Sequence, residues 1–133
     1  MEWIAIALGG MAGALLRHSL SVFFSSISPA WLPYATLTAN IAGCFAIGIL
    51  FQWSQMQGIS STWWIVGIRV GLLGGLTTFS SFALDLVQHW SQKGATASSL
   101  LCCLHLLVGL AAVIVGIQLG SQIAGNPPVE NAS

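Results

Sequence analysis

Four long apolar stretches constrain this chain more than any other feature. An α-helix needs roughly 20 consecutive apolar residues to cross a bilayer, and each of these stretches is at least that long. None of them shows the two-residue alternation of a transmembrane β-strand. We therefore predict an all-α integral membrane protein, with a single four-helix transmembrane domain at residues 1–125 and a short tail at 126–133. The predicted spans are 3–24, 32–53, 63–87 and 95–123.

The scarcity of charged residues supports a surface that faces lipid. Only 5% of the 133 residues are charged, whereas about 25% of the residues of a soluble domain are charged. Three basic residues form no patch for nucleic acid, and no side chains have the spacing of a nucleophile with its base. We therefore expect a multi-pass protein of the plasma membrane or a bacterial inner membrane, and not an enzyme.

The six tryptophans test these spans independently. Indole rings favour the headgroup region of a bilayer, where the N–H stays hydrated. Every tryptophan falls at or near the end of a predicted span, and turn-forming residues at 25–29, 55–61 and 91–94 separate the spans. Both patterns predict four spans. The tryptophans are Trp3, Trp31, Trp53, Trp63, Trp64 and Trp90.

Basic residues in loops normally set the orientation of a membrane protein. Here Arg17 and Arg69 fall within or near the ends of predicted spans, which leaves Lys93 as the one basic residue clearly in a predicted loop. The two sides of the membrane therefore differ by about one basic residue. So small a difference favours dual topology, in which subunits insert in both directions and pair antiparallel. A fixed orientation set by Lys93 is the alternative.

Four helices enclose little space, so we expect the chain to work as an oligomer. The segment 9–13 (GGMAG) and the glycines Gly67, Gly71 and Gly75 place small residues at four-residue intervals. Such stripes let helix backbones approach closely in lipid. The sequence leaves open whether this approach occurs within one subunit or between two.

Polar side chains within the spans are candidate functional groups, because each is costly to place in lipid. Thr36 and Asn40 are four residues apart and share a helical face, and an uncharged amide can donate two hydrogen bonds. Hydrogen bonding between helices, worth about 0.6 kcal/mol per bond, explains these residues equally well. Both interpretations remain open from the residues alone.

The third span contains a predicted break. Gly74 and Gly75 precede Thr77 and Thr78, and adjacent glycines followed by β-branched threonines are unfavourable in a continuous helix. A break inside the membrane frees backbone carbonyls, which are tolerated only around a cavity or a bound ion.

Beyond the predicted break, Phe79 and Phe82 share a face beside the Ser80 hydroxyl. Aromatic ring edges carry partial positive charge, so this face suits a small anion. Core packing is the ordinary explanation of an isolated pair of phenylalanines at this spacing.

Three motifs occur in order, one in each of the first three spans. Residues 9–17 read GGMAGALLR, residues 36–43 read TLTANIAG and residues 74–82 read GGLTTFSSF. They resemble the GGxxGAxxR, TLxxNxxG and GGxTTFSTF motifs of the Fluc/CrcB family of fluoride channels. The third motif is the specific one, and the resemblance covers nearly the whole chain.

The resemblance implies a dual-topology, antiparallel homodimer that exports fluoride from the cytoplasm down its gradient and confers fluoride resistance. Residues of both subunits would line each of two pores. By the same resemblance, Asn40 would donate hydrogen bonds to fluoride, Phe79 and Phe82 would form an aromatic box, and Ser80 and Thr36 would extend the polar path.

The resemblance also implies a vestibule and a cation site. Arg17 would attract anions at a vestibule near the membrane surface. The backbone carbonyls of Gly74 and Thr77, from each subunit, would hold a structural Na⁺ at the dimer centre.

Two departures from the family lie in the second half of the chain. Ala83 follows the third motif where the family often has serine, and the fourth span lacks the hydroxyl groups that the family usually carries there. Apart from the thiols of Cys102 and Cys103, His105 is the only titratable group in that stretch, and its ordinary interpretation is a neutral histidine hydrogen-bonded to a neighbouring helix. The positions where hydroxyls are absent are Gly109 or Leu110, and Val113.

These departures leave alternatives to the homodimeric channel. The chain could form a heterodimer with a paralogue that supplies the missing hydroxyls. A small multidrug exporter is also a four-helix, dual-topology dimer, but it needs a carboxylate inside its first helix, and here Glu2 precedes that span while Asp85 lies towards the end of the third. A purely structural membrane subunit is the remaining alternative.

Overall fold

The computed structural model describes residues 1–27 and 33–125. Every regular element in those two ranges is helical, and four helical stretches are long and apolar enough to cross a membrane. The predicted all-α fold, with four helices able to span a membrane, is confirmed for these ranges, and the antiparallel dimer stays a prediction. Trp31, the first residue of the predicted second span and the predicted tail lie outside the described residues. The four stretches are Glu2–Ile27, Tyr34–Met56, Trp63–Lys93 and Ala95–Ala124.

The third of these stretches is composite, whereas the other three are single helices. Helices α1 (Glu2–Ile27), α2 (Tyr34–Met56) and α6 (Ala95–Ala124) are continuous. The composite stretch contains α3 (Trp63–Val66), a π-helical segment (Gly67–Leu73), α4 (Gly74–Leu76) and α5 (Phe79–Lys93).

Two of the helices continue through residues that the sequence analysis assigned to turns. Ser25 and Ser26 remain in α1, where their hydroxyls donate to the carbonyls of Val22 (2.8 Å) and Phe23 (2.6 Å). Ser91 remains in α5 by the same type of bond. Serine is compatible with a helix when its hydroxyl bonds back to the preceding turn. The helices are therefore longer than the predicted spans, and Lys93 ends α5 rather than lying in a loop.

The described tryptophans confirm their expected placement near helix ends. Trp3 lies in the first turn of α1, Trp63 and Trp64 begin α3, and Trp53 and Trp90 lie in the last turns of α2 and α5. Trp3 is 84% exposed, so its ring is available to the headgroup region of a membrane.

The closest approach of α1 to another helix is its contact with the π-helical segment. A Cβ atom at Gly9 would collide with the carbonyl oxygen of Gly67, and one at Gly71 would lie 2.6 Å from the carbonyl oxygen of Ile6. The glycine stripes of the first and third spans therefore face each other within one subunit. The structure thus answers the question that the sequence left open.

A second close helix pair joins α2 to α6. A Cβ atom at Gly116 would collide with the Phe45 carbonyl oxygen, and one at Gly120 would lie 2.6 Å from the Ile49 carbonyl oxygen. Small residues thus bring these two backbones together. This contact fixes the position of α6 relative to Asn40 on α2.

Candidate functional site

The break in the third membrane stretch lies at Thr77 and Thr78. Their backbones are extended, with ψ angles of 151° and 120°, while Gly74 and Gly75 remain helical. Helix α5 begins at Phe79, and the Thr78 hydroxyl accepts a hydrogen bond from the Ser81 N–H (3.2 Å) as its N-cap. Threonine favours extended backbone and caps helices, so the threonines rather than the glycines form the break.

At the break, two of the N–H groups that would donate to carbonyls in a continuous helix have other partners. In a continuous helix the N–H of Thr78 would donate to Gly74, but here it donates to Asn40 Oδ1 (2.7 Å). The N–H of Ser81 would likewise donate to Thr77, but here it donates to the Thr78 hydroxyl. The carbonyls of Gly74 and Thr77 therefore lack their helical donors. Asn40 accepts from the first donor, and the Thr78 hydroxyl accepts from the second.

Asn40 connects the break to two other helices. Its Oδ1 accepts from the Thr78 N–H, and its Nδ2 donates to the Thr78 carbonyl oxygen (3.0 Å). The same Nδ2 lies 3.0 Å from Nε2 of His105 on α6. The side chain of Asn40 is thus oriented by three hydrogen bonds, and His105 bonds to a neighbouring helix as expected from the sequence.

Phe79 and Phe82 are neighbours in space but differ in burial. Their ring centroids lie 6.1 Å apart in an edge arrangement. Phe79 is 77% exposed, whereas Phe82 is 4% exposed, and the Phe82 ring centroid lies 4.0 Å from that of His105. Phe82 is therefore fixed within the subunit, while Phe79 projects from its surface.

A cavity of about 440 Å³ lies beside the break. Asn40, Phe79, Phe82, Gly74 and Thr77, all predicted site residues, line this cavity together. The rest of its wall is mainly aliphatic, and it includes Arg69. This first cavity is thus an apolar space with a few polar groups, which is the usual character of a selective site. Its other lining residues are Gly43, Cys44, Ile47, Leu73, Thr78, His105, Leu106, Gly109, Leu110 and Val113.

A second cavity of about 210 Å³ lies on the other side of Thr78, which lines both spaces. Arg17 and Thr36, two predicted site residues, line this second cavity rather than the first. It also contains hydroxyl and imidazole groups and is more polar than the first. Its remaining lining residues are Ala14, His18, Ser21 and Ser81.

Ser80 lies apart from both cavities. Its side chain is exposed, and its Oγ lies 3.1 Å from Oγ1 of Thr78. The neighbouring Ser81 lines the second cavity instead. A contribution of Ser80 to the polar path therefore stays a prediction.

Sequence reasoning undervalued His105 and missed Ser81. The signal that could have identified His105 was present, because an ionisable residue inside a membrane span is a functional candidate by default. No comparable signal distinguishes Ser81 from Ser80, because the rotation of α5 alone decides which of two adjacent serines faces inward.

Comparison with known proteins gives a consistent result. The sequence model of a family described as CrcB-like protein, Camphor Resistance (CrcB), matches residues 4–117. Several curated relatives carry the name Fluoride-specific ion channel FluC. The relative from Shewanella amazonensis is 37% identical over 114 residues, which is 86% of this chain and 91% of the relative. The relative from Aeromonas salmonicida is 39% identical over 118 residues, covering 88% and 94% of the two chains. The relative from Paracoccus denitrificans is 36% identical over 119 residues, covering 89% and 93%.

Proposed function

This chain belongs to the CrcB-like family, and we propose that it is a fluoride-selective ion channel in a cell membrane. Fluoride leaves the cytoplasm through it down its concentration gradient, which confers fluoride resistance. The observation that carries this proposal is the convergence of the Asn40 amide, the broken backbone at Thr78 and the two phenylalanines Phe79 and Phe82 on one cavity.

The chemistry of that cavity suits fluoride. A small, strongly hydrated anion enters a narrow pore only where hydrogen-bond donors and positive dipoles replace its water, and it leaves only where these groups bind weakly. The Asn40 amide is a neutral donor, and the edges of phenylalanine rings are weakly positive. Arg17 lies in the second cavity, so its full charge draws anions towards the path from outside the first cavity.

We further propose that two copies form an antiparallel homodimer whose subunits share the walls of each pore. Phe79 is exposed in the single subunit although it borders the first cavity, so a second subunit is the natural source of the missing wall. The weak charge bias supports insertion in both directions, since Arg17, Arg69 and Lys93 all lie within helices.

The carbonyls of Gly74 and Thr77 fit the proposed structural Na⁺ site. Both have lost their helical donors, and carbonyl oxygens of unwound helices are suitable ligands for Na⁺. A Cβ atom at Gly74 would have no neighbour within 4 Å, so there is space beside it. When bound, Na⁺ would satisfy these carbonyls and join the two subunits.

Fluoride efflux from liposomes that contain only the purified chain tests the channel function. We expect rapid efflux of fluoride but not of chloride, and loss of fluoride efflux in the Phe79→Ile variant. A structural membrane subunit would leave the transport of both ions unchanged in that variant. Failure of the well-folded wild-type protein to release fluoride would contradict the homodimeric channel.

A heterodimeric channel is the second candidate function. It is favoured by the scarcity of polar side chains among the α6 residues that line the first cavity. His105 is the one polar side chain among the α6 residues that line the first cavity, and the others are aliphatic or glycine. A paralogous subunit could supply the absent hydroxyls, and efflux restored only by co-reconstitution with such a subunit would support it. The exporter alternative is not favoured, because Glu2 in the first turn is the only carboxylate in α1.

A further inference from the structure

Asp85 on α5 and His105 on α6 each carry a buried polar atom that has no hydrogen-bond partner within the described ranges. These atoms are Asp85 Oδ2 and His105 Nδ1. Buried polar atoms are nearly always paired, and ionisable groups inside membrane spans are costly unless they have a function. The proposed fluoride path uses neither atom.

The hydrogen bonds of Asn40 determine which nitrogen of His105 carries the proton. The Thr78 N–H donates to the amide oxygen of Asn40, which identifies the other amide atom as Nδ2. Nδ2 donates one hydrogen to the Thr78 carbonyl and directs the other towards Nε2 of His105. Nε2 must therefore accept, and the proton of neutral His105 lies on Nδ1. The unpartnered nitrogen is thus an N–H donor.

Phe82 relates the positions of Asp85 and His105. The Phe82 ring packs against His105 at a tilt of 38°, with 4.0 Å between ring centroids. Asp85 follows Phe82 by three residues on the same helical face. Asp85 is close enough to act electrostatically on His105. A buried acceptor on α5 and a buried donor on α6, two helices in contact, therefore lie within electrostatic range of each other.

We propose that Asp85 and His105 form a proton-sharing pair beside the fluoride path, and that proton uptake by this pair creates an anion site between His105 Nε2 and Asn40 Nδ2. The inference rests on the proposed function and adds proton dependence to it. Without the extra proton, the pair has one net negative charge, which repels an anion. Asn40 then has no free hydrogen, since both are donated.

One proton from bulk water removes the net negative charge of the pair and also frees a hydrogen of Asn40. The proton binds the Nε2 lone pair and converts an acceptor into a donor. Two N–H groups cannot hydrogen-bond to each other, so Asn40 releases its hydrogen, and both donors can then bind one small anion. The pair becomes neutral, and no covalent bond other than the new N–H forms or breaks. Loss of the proton restores the bond from Asn40 and expels the anion.

Other charged and titratable groups near His105 do not replace this pair. Arg69 and Cys44 line the same cavity from the π-helical segment and α2, but arginine remains charged and an ordinary thiol titrates about two pH units above histidine. His89 lies one turn beyond Asp85 on α5 and is hydrogen-bonded to Ser98 (3.0 Å). We therefore assign the pH dependence of fluoride efflux to Asp85 and His105.

Fluoride efflux from liposomes with the full-length chain, measured between about pH 5 and pH 8, tests this proposal. Wild-type efflux should rise as the pH falls, by up to about tenfold per pH unit for one proton. His105→Gln can still hydrogen-bond but does not titrate in this range, so its efflux should not depend on pH. Protein-free liposomes at each pH measure the leak of the neutral acid, which is subtracted.

Two further variants sharpen the test. His89→Gln removes another buried histidine of the α5–α6 contact and should keep the wild-type pH profile. Asp85→Asn removes the negative charge and should raise efflux at pH 8, but not to the wild-type value at low pH, because Asn40 still donates both hydrogens. An Asp85→Asn profile identical to that of the wild type would overturn the role of the pair.

The outcomes separate this inference from the channel function. Fluoride efflux that does not depend on pH, or a His105→Gln profile parallel to the wild type, overturns the proton-sharing pair and leaves the channel intact. No fluoride efflux at any pH contradicts the proposed function itself.

If His105→Gln does not fold, ¹⁵N NMR of histidine-labelled wild-type protein reads the tautomer of His105 directly. Nδ1–H is expected at pH 8 without fluoride, and Nε2–H overturns the proposal.

Discussion

The two cavities on either side of Thr78 differ in the way they can treat an anion. The second cavity is small and is lined by hydroxyls together with the charged Arg17. The first is about twice as large and mainly apolar, with the charged Arg69 and a few uncharged polar groups such as Asn40 on its wall. A mainly polar wall favours a hydrated anion, whereas sparse donors in a mainly apolar wall favour an anion that has lost water.

We therefore propose that attraction and selection of the ion occupy separate parts of the chain. Arg17 is on α1, while Asn40, Phe82 and His105 are on α2, α5 and α6. Because Thr78 alone among the described residues lines both spaces, the break in the third stretch is the boundary between them. Variants on the two sides of that boundary should therefore have different effects.

The largest effect is expected from Asn40→Asp in the first cavity. The carboxylate can still accept from the Thr78 N–H, but it donates no hydrogen bond and adds a negative charge. Fluoride efflux should fall at least about hundredfold, which corresponds to about 2.7 kcal/mol. Liposome efflux measures the change, and normal solubility and helical circular dichroism show that the protein is folded. Efflux near the wild-type rate would remove Asn40 from the fluoride path.

Replacing either phenylalanine by alanine should reduce efflux, but only one replacement should destabilise the subunit. Phe82 is 4% exposed and packs against His105, so Phe82→Ala should cost about 3 kcal/mol of unfolding free energy. Phe79 is 77% exposed, so Phe79→Ala should cost less than about 0.5 kcal/mol within the subunit. Unfolding in detergent, under conditions that dissociate oligomers, compares the two variants. Equal destabilisation would contradict the difference in burial.

The adjacent glycines before the break form a matched pair for separating folding from assembly. A Cβ atom at Gly75 would lie 2.7 Å from the Gly10 carbonyl oxygen, while one at Gly74 has no neighbour within 4 Å. Gly75→Ala should therefore cost about 1–3 kcal/mol of subunit stability, and Gly74→Ala should not. If the Gly74 carbonyl lies at a dimer centre, Gly74→Ala should instead weaken dimerisation, as measured by cross-linking in membranes. A stable Gly74→Ala dimer with normal efflux would argue against that position.

The smallest effect is expected in the second cavity. Arg17→Gln removes a charge that attracts anions from a distance but does not hold them in the first cavity. Efflux should fall about threefold at low ionic strength and recover at high salt, because salt screens such attraction. Arg17→Lys keeps the charge and should behave like the wild type. A salt-independent loss of efflux in Arg17→Gln would place Arg17 within the pore itself.

Much of the site could be predicted from the sequence because its signals are local. The break was predicted from two glycines and two threonines, and the contact between Phe79 and Phe82 from a three-residue spacing. Asn40 was a candidate because an amide in a membrane span needs partners. The sequence motifs then pointed to the family that the comparisons identify.

Other features depend on contacts between distant residues. Asn40 and His105 are 65 positions apart, and their contact depends on how α2 and α6 pack through Gly48, Gly116 and Gly120. The same dependence explains why Ser81 rather than Ser80 lines the second cavity. A local pattern contains no information on the rotation of one helix against another.

The sequence by itself determined that most of this protein's surface faces lipid, how many membrane helices it has, where the third stretch breaks and to which family it belongs. Hydropathy, charge content and motif spacing are properties of short segments, so they can be read before any helix packs. Only the tertiary structure decided that the glycine stripes meet within one subunit, that Thr78 divides two unlike cavities and that Asn40 donates to His105. The physical reason is that such contacts depend on helix rotation and axial offset, which close packing of distant small residues sets only when the whole bundle forms.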